Sequence, residues 1–133
     1  YTALNTLSLH DALPISVCNY GDAPVRTSPG FHPYFPAVGT QFDFNGAPYD
    51  ADYIAHTEFV ASPSDTHVAF DGLKLDIRTQ NLPVYALWSD RNGQYTCAEP
   101  TAEGNAFLSP ARGGQFVSGH GKKRYGMKIR LIA

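Results

Sequence analysis

The feature that most constrains this chain is a strict alternation of apolar and charged residues in Leu73-Lys74-Leu75-Asp76-Ile77-Arg78. In an extended chain successive side chains point to opposite faces, so this segment turns an apolar face one way and a charged face the other. The pattern returns near the end of the chain. There Tyr125, Met127, Ile129 and Leu131 fall on one face, with Arg124, Lys128 and Arg130 on the other. Further strands are predicted at Gln41 to Phe44, Tyr53 to Ala61, Val84 to Ser89 and Gln94 to Ala98, each bounded by turn-forming residues. Within these, Tyr53 to Phe59 fits a short helix almost as well. Asp90-Arg91-Asn92-Gly93 reads as a hairpin turn, because Asn-Gly tolerates the positive φ that tight hairpins need. Twelve Gly, 10 Pro and 13% aromatic residues suit short strands joined by tight turns. The expected class is all-β, and 133 residues are the size of one domain.

Other classes are excluded or disfavoured. A formal charge of −2 with no run of like charges argues against a nucleic-acid partner. No apolar stretch reaches the roughly 18 residues of a membrane span. Cys18 and Cys97 stand far apart without a CxxC partner, so neither a disulfide framework nor a thiolate metal site is implied. Reduced thiols in a cytoplasm are the expectation. At the other end of the chain, Thr6 to Ile15 (TLSLHDALPI) reads as one frame of a translated sequencing adapter. Residues 1–15 are therefore expected to be non-native, the domain to run over 16–133, and a native N-terminus with any export signal to lie outside this chain.

Two segments carry chemistry. In Ser28-Pro29-Gly30-Phe31-His32-Pro33-Tyr34-Phe35 a titratable ring is fixed between Gly, Pro and three aromatics, and Pro33 biases His32 toward extended backbone. Such an imidazole either exchanges protons with a ligand or caps a turn. The second is Glu99, predicted to end the second strand of the apolar hairpin, where a carboxylate is either paired with a cation or kept as a working base.

Gly30-Phe31-His32-Pro33-Tyr34-Phe35, Cys97-Ala98-Glu99-Pro100 and Asn105-Ala106-Phe107 together resemble, in order and spacing, signatures of the aldose 1-epimerase (galactose mutarotase) family. The resemblance runs from about Pro24 to the C-terminus. It implies an antiparallel β-sandwich of the galactose mutarotase type (the supersandwich), of which this chain would be the C-terminal part. It implies an isomerase that interconverts the α and β anomers of a free hexose, with His32 and Glu99 as the catalytic pair and no metal or organic cofactor. Asp65 resembles the family's substrate-binding Asp, a turn-forming Asp being the alternative. Tyr34 and Trp88, with Phe31 and Phe35, are candidates for the apolar wall a sugar needs. His56 and His67 lack the HxH or HExxH spacing of a metal set. The family's N-terminal half, with a sugar-binding Arg, has no counterpart before Pro24. Two rivals remain: a non-catalytic carbohydrate-binding module, and a hexose-phosphate 1-epimerase, for which Arg26 and Arg78 are the available cations.

Overall fold

The computed structural model describes residues 12–36, 41–50, 56–70, 72–89, 95–109 and 114–132. Among them the strands are β1 (Ala12–Cys18), β2 (Val25–Arg26), β3 (Tyr34–Pro36), β4 (Gln41–Phe44), β5 (Ala47–Asp50) and β6 (Glu58–Ala61). They continue with β7 (Asp65–Phe70), β8 (Leu73–Gln80), β9 (Val84–Trp88), β10 (Tyr95–Thr101), β11 (Phe116–Val117) and β12 (Lys122–Ile132), with a 3-10 helix at Gly104–Leu108.

The alternation of β8 is realised as read. Leu75 and Ile77 are buried while Lys74 and Arg78 are exposed, and antiparallel neighbours flank the strand on both sides, β7 and β12. On β12 the apolar face holds at Tyr125 and Met127, is half-buried at Ile129 and has run out at Leu131, which is 49% exposed. The last turn of the pattern therefore lies past the edge of the core. Beyond these strands the six-stranded sheet has the order β1-β12-β8-β7-β4-β5. Asn45 and Gly46 turn β4 into β5 with φ of 54° and 82°, the backbone that makes Asn-Gly the favoured two-residue hairpin. The Asp90 to Gly93 turn expected from the same chemistry lies outside the described residues. So does the first part of the predicted Tyr53 to Ala61 segment, whose strand is Glu58–Ala61.

A four-stranded sheet, β3-β10-β9-β6, packs on the first. Phe42, Phe44, Val68 and Ile77 from one sheet meet Phe35, Tyr85, Leu87 and Ala98 from the other in a single core. Tyr85 lies at its centre, edge-on to Phe44 with ring centroids 5.1 Å apart, and burial pushes its phenol up to about 12. A second cluster of Leu82, Ala102 and Tyr125 closes one end of the sandwich against Ile15, Val17 and Phe31. β1 pairs with β12 from Ala12↔Lys128 to Cys18↔Lys122, so its ladder crosses the position where non-native residues were expected to end. Among the described residues no helix is long and apolar enough to cross a membrane.

Candidate active site

The site is built on the face of the four-stranded sheet that turns away from the core. Ala98 of β10 points into the core, so Tyr95, Cys97, Glu99 and Thr101 alternate onto the opposite face. Glu99 does not end its strand as the sequence reading had it. β10 continues through Pro100 to Thr101, because Pro29–Phe31 lies alongside it: Phe31 N–H donates to the Pro100 carbonyl at 3.0 Å and Ala102 N–H to the Pro29 carbonyl at 2.9 Å. The approach is close enough that a Cβ on Gly30 would sit 3.0 Å from the Pro100 carbonyl oxygen. Pinned there, the segment carries His32 over Glu99.

His32 Nε2 and Glu99 Oε1 lie 3.2 Å apart, with side-chain exposures of 51% and 17%. Burial raises the Glu99 carboxyl above its ordinary value of 4.5, and the nearby imidazole only partly offsets that. The His32 ring stacks on Tyr34, centroids 4.6 Å apart and planes 13° off parallel, and stands edge-on to Trp88 at 6.4 Å. Tyr95 packs against both Tyr34 and Trp88, at 5.0 Å and 5.8 Å. The Cys97 sulfur is fully buried, and the ligating atoms of His32, Cys97 and Glu99 all lie within 4.8 Å of one another. Beside Glu99 opens a cleft of about 500 Å³, bounded by Phe59, Thr101, Asn105 and Phe107. That volume lies within the range of small-molecule sites.

The wall on the 3-10 helix side is held from behind. Glu103, 6% exposed, accepts from Arg26 at 2.7 Å and from the Gln115 backbone N–H, and Arg26 also donates to the Ala106 carbonyl at 2.9 Å. Burial alone would raise the Glu103 carboxyl, but these donors outweigh it and hold the group below its ordinary value.

Not every expected residue comes to this face. His32, Glu99, Tyr34 and Trp88 meet there. Phe35 alternates inward from β3 into the core, where it cannot wall a sugar, and Phe31 packs on the two core clusters. Asp65 begins β7, on the solvent side of the other sheet, and pairs with Arg78 at 2.9 Å. His67, on the same side, pairs with Asp76 at 2.6 Å. Tyr95, Cys97 and Phe59 were missed. For Tyr95 and Cys97 the signal was present in β10, where every second residue from Tyr95 to Thr101 shares the face of Glu99; Phe59, on β6, reaches the cleft only through sheet pairing.

No family model and no curated protein matches the sequence. Solved structures do match. A galactose mutarotase-like protein from Lactobacillus casei superposes with a TM-score of 0.71 at 14% identity, over 91% of this chain and 58% of that one. A galactose mutarotase related enzyme from Lactobacillus acidophilus gives 0.69 at 13% identity, over 92% and 57%. A candidate aldose 1-epimerase from Escherichia coli K12 gives 0.70 at 15% identity, over 91% and 55%. The fold is the galactose mutarotase-like β-sandwich. The chain spans little more than half the length of these mutarotase-like structures, as a partial sandwich would.

Proposed function

We propose that the protein of which this chain is part is an aldose 1-epimerase, acting on a free hexose or related aldose. The observation that carries the reading is the 3.2 Å contact between His32 and Glu99 on an open face ringed by aromatics. Interconverting anomers requires the C1 hydroxyl to lose a proton while the ring oxygen gains one. Glu99, whose affinity for protons burial raises, is the base for the hydroxyl; His32 is the acid for the ring oxygen. Ring opening yields the aldehyde, rotation about the C1–C2 bond exposes its other face, and closure runs the two transfers in reverse. A 3.2 Å contact leaves no room for a sugar between the two groups, so the substrate must part them. His32, half exposed and held by stacking on Tyr34, is the partner free to move. Tyr34 and Trp88 are the surfaces for the sugar's C–H face, with Tyr95 buttressing both. Asp65 has no part in this site.

A free sugar is favoured over a sugar phosphate, since Arg26 and Arg78 are each committed to a carboxylate and, among the described residues, no Lys or Arg lines the cleft. A second reading, sugar binding without catalysis, draws on the same exposed rings. Polarimetry with fresh α-glucose or α-galactose on the full-length gene product separates the two. Glu99→Gln and His32→Ala are each expected to slow equilibration by about 10²–10⁴-fold. Equilibration at the wild-type rate in both variants would leave only the binding reading.

A further inference from the structure

His32, Cys97 and Glu99 place an imidazole nitrogen, a thiol sulfur and a carboxylate oxygen within 4.8 Å of one another. These are the three donor types that zinc takes, and three protein ligands with a fourth position left open is the arrangement of an accessible zinc site. In tetrahedral coordination, ligand atoms about 2.0–2.3 Å from zinc lie roughly 3.4–3.6 Å from each other. The His32–Glu99 separation of 3.2 Å already approximates one such edge. The remaining closure is at most on the order of 1 Å along the edges to Cys97. Cys97 and Glu99 sit two positions apart on one face of β10, and the backbone just before His32 is tied to that strand by the Phe31 to Pro100 hydrogen bond, so two donors are fixed on a strand and the third is carried beside them on a side chain able to adjust.

We propose that His32, Cys97 and Glu99 form a binding site for a thiophilic divalent cation of the zinc class. As the sulfur–metal bond forms, the Cys97 thiol gives its proton to solvent, and no electron is transferred. An occupied site takes the lone pairs of both His32 and Glu99. The cation is therefore an inhibitor of the proposed ring opening; that consequence rests on the acid–base reading, whereas the binding does not.

The probe is Co²⁺, added to the full chain without sugar and followed by absorption, with Zn²⁺ as competitor. The expected result is a thiolate-to-cobalt charge-transfer band that saturates at one ion per chain and is abolished by Zn²⁺. Cys97→Ser removes the band. His32→Gln, at a half-exposed position, keeps the band but weakens binding by more than about tenfold, since even indirect support of a metal ligand is worth that much. Cys18→Ser, on the exposed thiol of β1, changes nothing. A wild-type chain without the band, a band that vanishes with Cys18→Ser instead, or unchanged affinity in His32→Gln would each overturn the site. These readings involve no turnover, so their failure leaves the epimerase proposal standing, and an inactive protein that shows the band leaves the metal site standing.

Discussion

At the scale of single residues, the site depends on one close approach and two shifted carboxyls. Gly30 is required because β10 passes so near: a methyl there would lie 3.0 Å from the Pro100 carbonyl oxygen and 3.1 Å from Thr101 Cγ2. Gly30→Ala is expected to displace His32 by tenths of an ångström, lowering kcat by about 10-fold or more while leaving the melting temperature nearly unchanged. The raised Glu99 carboxyl predicts an acid limb of kcat/KM above the ordinary glutamate value of 4.5, moving with Glu99 variants and not with Asp65 variants. Glu103 works differently, as the anchor of Arg26 and of the Gln115 N–H. Glu103→Gln should cost about 1–3 kcal/mol in urea unfolding, by leaving a half-buried cation without its counter-charge. His32 and Glu99 were legible as chemistry from their neighbours in sequence. Asp65 could be read from the sequence either as a substrate-binding Asp or as a turn former, because a loop-edge Asp looks the same in both settings; the structure places it on the solvent face of the other sheet, beside Arg78.

At the scale of elements, alternation predicts burial only while a strand has something above it. Ile77 is fully buried at the middle of β8, and Ile77→Ala should destabilise by about 2–5 kcal/mol. Leu131 sits in the same kind of pattern on β12 but is 49% exposed, so Leu131→Ala should change stability by no more than about 0.5 kcal/mol. Denaturant melts of the two variants measure the contrast. The β9–β10 pair was readable because β9 is apolar on both faces and β10 is largely buried beside it, as central strands are. β2 and β11, two residues each, were not: they pair with each other from opposite parts of the chain, and no local pattern of that length stands out from loop.

At the scale of the molecule, stability should depend on acid in a defined way. Asp76, between Arg130 and His67, and Glu103 are both held below their ordinary values of 3.8 and 4.5. Each binds fewer protons folded than unfolded, so its contribution is present above the ordinary value and lost as pH falls through the folded one. Glu99 has the opposite sign, since its folded form holds a proton more tightly. Unfolding free energy is therefore expected to drop below about pH 4.5, and Glu103→Gln to flatten that drop. Removal of residues 1–15 tests the other end: if they are a translated adapter, the β1–β12 ladder from Ala12 to Ile15 is incidental, and the cost should be limited to the packing of Ile15 on the second core cluster. The sequence by itself determined the class of fold, through period-two alternation, and singled out His32 and Glu99 as candidates through the short motifs around them, because both signals depend on near neighbours in the chain. Only the tertiary structure decided which aromatic faces the site and which the core, which carboxylates Arg26 and Arg78 pair with, and that a buried thiol lies beside His32 and Glu99. Those are relations between strands distant in sequence, fixed when the two sheets pack and each alternating side chain is assigned to one face or the other.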